Sequence, residues 1–278
     1  MEVISHGAFA YLHPTGHHPE SQQRIAVLHE RFGFAECEPA TEADILRCHT
    51  PELIEQVRTA DGWIDGDTPC TSTSYEAALL AAGAAIEAVR RNGFALARPP
   101  GHHAERNRAM GFCLFDSIAI AARWAQAELG IGRVAIVDWD VHHGNGTEDI
   151  VGGDESVLFC SLHEWPFYPG SGGPDDQRDA VLNVPLAAGT GDDEYFAAFA
   201  TVEERVRRFE PELLLVSCGF DAHADDPLAN LQLSTEAFTE LARRATQLAP
   251  RVAAVLEGGY NLRTLPSLFE AALDGFGT

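Results

Sequence analysis

Lysine is absent from this sequence: all 19 basic residues are arginine. That excludes a Walker A nucleotide loop and the Schiff-base and pyridoxal schemes, each of which needs a primary amine. Positive charge of any kind is scarce, since 42 acidic side chains against 19 basic leave a net charge of -23. With no basic excess to displace counterions from phosphates, no nucleic-acid partner is expected. Such a surface favours cationic partners, although acidity that merely keeps a protein soluble accounts for the same count. No apolar run approaches membrane-spanning length and no basic, then apolar, then small-residue leader opens the chain, which predicts a cytoplasmic protein without membrane contact. The six cysteines, at 37, 48, 70, 113, 160 and 218, include no C-x-x-C pair. Reduced, buried thiols are expected, and any metal needs histidine and carboxylate ligands.

What the chain does have is length for one sizeable core: 278 residues, 45% of them hydrophobic, expected to form a single domain over 1–278. Short β-rich runs alternate with helical periodicity, the pattern of a parallel sheet wrapped by helices. The clearest strands are 134–137, 157–160, 213–217 and 252–256, with 94–97 a fifth; helical stretches lie near 75–91, 117–130, 193–209, 235–248 and 264–274. The strands run into RPPGHH, DWDVHHGNG, SLHEWPFYPGSG, CGFDAHADDPL and EGGYN. Open α/β sheets bind ligands beyond the carboxyl ends of their strands, so these five loops are expected to converge on one site.

Three constellations carry chemistry. In DWDVHHGNG, Asp138, Asp140 and His142 alternate, and an extended segment would place them on one face. A lone D-x-H is more often a turn or an ion pair, but a second, Asp221 with His223, follows another apolar strand. The two loops could serve one zinc or two metals. His102 and His103 follow Arg98-Pro99-Pro100-Gly101, and an acidic strand end nearby could orient the rings for proton transfer. Tyr260 follows Gly258 and Gly259, where backbone can approach a ligand and a phenol can be aimed into a cleft. Metal, paired bases and a phenolic donor together describe amide hydrolysis.

These residues resemble the histone deacetylase family, including its bacterial deacetylase and acetylpolyamine amidohydrolase branches. RPPGHHA (98–104), GFCLFD (111–116), VDWDVHHGNGT (137–147), SLH with YPGSG (161–172), GFDAHADDPL (219–228) and LEGGYN (256–261) occur in family order and cover nearly the whole chain. The resemblance implies a three-layer arginase/deacetylase-type fold, a mainly parallel central sheet with helices on both faces. It implies one zinc held by Asp140, His142 and Asp221. His103 would be the main general base and acid with His102 beside it; Asp138 would hydrogen-bond His102, and Asn145 would support His103. Asn145 and EGGYN place the chain nearer the class II and bacterial members than the branch with aspartate at that position. Tyr260 would donate to the oxyanion. Gly111, Phe112, Tyr168, Gly258 and Gly259 would line the acyl channel, with Leu228 and Asp67 on its rim. Structural potassium would be bound at an inner site by carbonyls of Asp138, Asp140, His142 and Leu162 with Ser161, and at an outer one by Val151, Asp154 and Val157.

The implied activity is removal of an acetyl or short acyl group from acetyl-lysine, an acetylated polyamine or another small amine. The competing readings are a two-manganese ureohydrolase of the arginase type, to which His102, His103 and Tyr260 would be superfluous, and an inactive acyl-amine binding module. His6, His13, His17, His18, His29, His49 and His163 carry no comparable pattern and are expected at the surface or in packing.

Overall fold

Apolar runs buried on both sides form the centre of the molecule. The computed structural model describes residues 1–277. Its strands are β1 (Val3–Ser5), β2 (Ala35–Glu36), β3 (Gly62–Trp63), β4 (Pro69–Cys70), β5 (Phe94–Ala95), β6 (Val134–Asp138), β7 (Val157–Glu164), β8 (Val181–Leu186), β9 (Leu213–Cys218) and β10 (Val252–Leu256). The helices are α1 (Gln22–His29), α2 (Glu42–Ile45), α3 (Pro51–Thr59), α4 (Ser74–Arg91), α5 (Ser117–Leu129), α6 (Asn145–Val151), α7 (Asp192–Phe209), α8 (Thr235–Ala245) and α9 (Leu265–Gly277). β3 and β4 pair as a small hairpin; the other eight strands make one sheet in the order β2-β1-β5-β10-β9-β6-β7-β8, every pairing parallel.

Every residue of β6, β7, β9 and β10 is buried. Both faces of the sheet's centre are therefore covered by helices, which is why these strands read as continuous apolar runs rather than alternating ones. One hydrophobic core extends from Val3 to Phe276. The helices have matching ends: Asp116 caps α5 by accepting from Ala119 N at 2.9 Å, and α7 opens on Asp192, Asp193 and Glu194 and closes on Arg207 and Arg208, each sign opposing the helix dipole.

The strand order matters most for the site. β5, β10, β9, β6 and β7 are consecutive neighbours, and they are the strands that feed the five reactive loops. Parallel pairing puts all five carboxyl ends on one edge, so the expected convergence is a consequence of topology. The third loop begins later than expected, because β7 continues through Ser161, Leu162 and His163 to Glu164.

Candidate active site

β6, β9 and β10 end side by side, and their loops meet around one point. Past Asp138 the chain leaves the sheet through two carboxylate turns: Asp140 N donates to Asp138 Oδ1 at 3.0 Å, and His142 N to Asp140 Oδ1 at 2.9 Å. The simple alternation read from sequence therefore does not hold, since β6 stops at Asp138. Asp140 and His142 instead meet Asp221 from the loop after β9, with ligand atoms within 4.8 Å of one another. His142 Nδ1 lies 3.1 Å from Asp140 Oδ1 and 3.2 Å from Asp221 Oδ2. One ring nitrogen carries at most one proton and cannot donate to both carboxylates at full strength; two carboxylates and an imidazole nitrogen aimed at one point are the donor set of a divalent cation. Burial works against charge on His142, yet its bonds to Asp140 and Asp221 raise its pKa to about 10. Burial and then the neighbouring Asp140 charge push Asp221 up to about 6. A cation in that place would relieve both.

Gly258, in the loop after β10, closes this cluster. Its N–H donates to Asp140 Oδ2 at 2.7 Å, and a Cβ there would lie 2.1 Å from Asp221 Oδ2 and 2.5 Å from Asp140 Oδ2. Any side chain at 258 would displace two ligands.

The histidine pair sits beside the cluster with its rings 4.0 Å apart. Asp138 Oδ2 is 2.9 Å from His102 Nδ1, and Asn145 Oδ1 is 2.8 Å from His103 Nδ1. Asp138 thus bonds the His102 ring and stands outside the Asp140–His142–Asp221 cluster. The two rings are polarised in opposite senses. Burial opposes the charge on His102, but Asp140 and Asp138 outweigh it and its pKa stands well above the ordinary value. Burial and then the charges on His102 and His142 hold His103 well below it. His103 is therefore the less readily protonated ring of the pair. It packs directly on Gly111, whose φ is +58° and where a Cβ would lie 2.5 Å from His103 Cδ2.

These groups open into a cavity of about 230 Å³. His103, His142 and Tyr260 are at its reactive end, Gly111, Phe112, Phe167 and Tyr168 form walls, and Asp67 and Leu228 also line it. Phe112 stands edge-on to Tyr260 at 5.8 Å, and Tyr168 edge-on to His103 at 5.2 Å. Asp67 accepts from Thr68 Oγ1 at 3.0 Å, while Thr68 Oγ1 accepts from Phe112 N at 3.1 Å, tying rim to wall. A larger cavity of about 420 Å³, between residues 36–41 and α4, contains none of the candidate residues.

The implied potassium ligands fall into two groups, near the two ends of β7. Ser161 pairs in register with Asp138, and Leu162 follows it near the carboxyl end of β7; Val157 opens that strand, with Val151 and Asp154 just before it. His223 lies outside the metal cluster, its Nδ1 accepting from Asp225 N at 3.1 Å. His13, His49 and His163 are buried in packing as expected, but His18 is more than that: its ring meets Phe112 edge-on at 4.5 Å, at the channel.

Four other residues were given no role by the motifs. Phe167 stacks on His142 at 5.5 Å. Glu257 Oε2 accepts from Gly101 N at 2.7 Å and His102 N at 3.2 Å, binding the turn of the histidine pair to β10; burial pushes its pKa up to about 8. Arg24 lies 4.9 Å over the Tyr260 ring and donates to the Gly259 carbonyl at 2.8 Å and to that of Glu257. Glu20 pairs with both Arg98 and Arg24 behind it. Phe167 and Glu257 are at least adjacent to recognised residues, whereas Arg24 is 235 positions from its partner and nothing local announces it.

A parallel α/β fold with a carboxylate–histidine–carboxylate cluster, a histidine pair and a tyrosine at its strand ends is an arrangement suited to a hydrolase. The histidine-pair loop, both ligand loops and the tyrosine loop all fall within residues 18–276, which match the histone deacetylase domain. The chain belongs to the histone deacetylase family, and its fold is the arginase/deacetylase fold. It is 36% identical to a probable deacetylase of Archaeoglobus fulgidus, over 94% of this chain and 81% of that one. It is 39% identical to a histone deacetylase-like amidohydrolase of Pseudomonas aeruginosa, over 89% and 73%. The crystal structure of the HDA15 HD domain superposes with a TM-score of 0.92 at 33% identity, covering 98% of this chain and 88% of that one.

Proposed function

We propose that this protein is a zinc-dependent deacetylase that hydrolyses the amide of an acetylated amine, either acetyl-lysine or an acetylated polyamine or other small acyl-amine. The observation that carries the reading is the meeting, at one cavity, of the Asp140–His142–Asp221 cluster through His142, of His103 with its Nδ1 held by Asn145, and of Tyr260. Zinc held by Asp140, His142 and Asp221 would supply Lewis acidity, polarising the acyl carbonyl and acidifying water. His103 Nε2 takes the proton of the attacking water, while His102, held as an imidazolium by Asp138, keeps positive charge beside the developing anion. Tyr260 donates its phenolic proton as a hydrogen bond to the oxyanion. His103 then returns its proton to the departing nitrogen, which leaves as an amine. Phe112 and Tyr168 pack the stem of the substrate and keep water out, Gly111 and Gly259 leave room beside them, and Asp67 accepts a substrate N–H at the rim near Leu228.

Potassium at the Ser161–Leu162 end of β7, and a second ion near Val151, Asp154 and Val157, would brace the loops flanking the cluster. The buried, unpaired cysteines suit the reducing cytoplasm, and among the described residues no helix is long and apolar enough to cross a membrane. The ureohydrolase reading requires a second metal, and the carboxylate and imidazole that would extend the cluster, Asp138 and His223, are turned to other partners.

Acetate release from acetyl-lysine peptides and acetylpolyamines by the zinc-loaded protein, with metal content measured alongside, tests the proposal. One zinc per chain and turnover lost on chelation and restored by zinc are expected. Bound zinc without acetate from any of these would leave the inactive binding module, and two manganese ions with urea release would establish the ureohydrolase.

A further inference from the structure

For His103 to accept a proton at Nε2, its ring proton must reside on Nδ1. Its partner is the side-chain amide of Asn145, and an amide does not by itself settle that choice. Rotated by half a turn it would offer an NH2 to Nδ1 and select the opposite tautomer. For His102 no such ambiguity exists, because the Asp138 carboxylate accepts only.

The amide of Asn145 is set from behind. Its Nδ2 donates to Glu105 Oε1 at 2.9 Å and reaches Met110 Sδ at 3.4 Å. A carboxylate and a thioether sulfur both accept, so a rotated amide would face oxygen against two acceptors. Glu105 is anchored in turn: its N–H donates to the Arg108 carbonyl at 2.9 Å, and its own carbonyl lies 3.1 Å from Nδ1 of the buried His49. Its side chain faces a separate cavity of about 250 Å³ on the far side of Asn145 and does not line the substrate cavity.

We propose that Glu105 is a positioning residue that acts through Asn145 to fix the Nδ1–H tautomer of His103 and keep Nε2 free as the base. The idea rests on the assignment of His103 as base in the proposed function. In this chain the carboxylate that orients the second histidine stands one residue further back, with an amide between.

The test uses the zinc-loaded protein with 15N-labelled histidine, read without substrate at neutral pH. In the native chain His103 should show one protonated nitrogen, Nδ1, and one unprotonated, Nε2. Glu105→Gln can donate as well as accept, so Asn145 loses its fixed orientation: the two His103 resonances should average toward a tautomer mixture. Turnover should fall about 3-fold with KM and zinc content unchanged. Asn145→Asp places two carboxylates in contact and should cost about 10-fold in kcat. The double variant Glu105→Gln/Asn145→Asp restores a donor–acceptor pair and should recover to within about 3-fold of the native kcat, a reciprocal rescue that mere structural damage does not produce. An unmixed Nδ1–H tautomer in Glu105→Gln, or a double variant as poor as the two losses multiplied, overturns the proposal. The tautomer readout needs no turnover, so it stands or falls separately from the substrate assignment.

Discussion

Tyr260 is held by contacts that its own motif does not reveal. Its backbone N–H donates to Asp226 Oδ2 at 2.7 Å, its ring meets Phe112 edge-on, and Arg24 covers it while binding the carbonyls on either side of Gly258. The phenol is thus aimed by backbone clamps and packing, and in the proposed mechanism its hydroxyl alone takes part. Tyr260→Phe keeps every one of those contacts and should lower kcat about 100-fold with little change in KM, the scale of one oxyanion donor lost. Steady-state acetate release measures it; full turnover in the variant would remove the tyrosine from the chemistry. The same scale shows why residue type alone misleads. Asp138 and Asp140 are two positions apart and both fully buried, yet one orients a histidine and the other joins the ligand cluster.

Among the elements, β6, β9 and β10 were legible because burial on both faces makes a strand a continuous apolar run. β8 was not: Asn183 and Pro185 interrupt it, and proline is tolerated there because β8 is the edge strand. α6 has no helical signal at its start, since GNG opens it, and α1 carries no strong amphipathic stripe. Yet α1, with the turn before it, supplies Arg24 and Glu20, which with Arg98 from the loop after β5 form a buried brace under the tyrosine loop. Burial alone would raise the Glu20 pKa, but Arg98 pulls it from 4.5 down to about 2. Because the folded value lies below the unfolded one, this stabilisation is full above about pH 4.5 and is lost as pH falls toward about 2. It amounts to about 3 kcal/mol. Denaturant unfolding at a series of pH values should show Glu20→Gln less stable than the native chain near pH 6, with the gap narrowing below about pH 4.5 and closing toward about pH 2; a gap constant with pH would contradict the brace.

At the scale of the whole molecule, a net charge of -23 surrounds a cavity whose rim carries Asp67. Long-range attraction should speed the arrival of cationic substrates and be screened by salt. For an acetylated polyamine that keeps a second positive charge, kcat/KM should fall several-fold between about 0.02 M and about 0.2 M salt, while a neutral acetylated amine should be little affected. Equal salt dependence for both would show that the field has no part in capture. The sequence by itself determined the α/β class, the central strands and the motifs that hold the ligands, the histidine pair and the tyrosine. These are local properties: burial period, loop composition and the order of side chains along one segment. Spacing alone made Asp138 and His223 equal candidates for ligands, the family resemblance separated them, and no role was assigned to Glu257, Arg24, Glu20 or Glu105. Only the tertiary structure decided those, because each works by contact between segments far apart in the chain. Only the strand order β5-β10-β9-β6-β7, which no single segment encodes, brings the five loops to one edge and makes of them a single site.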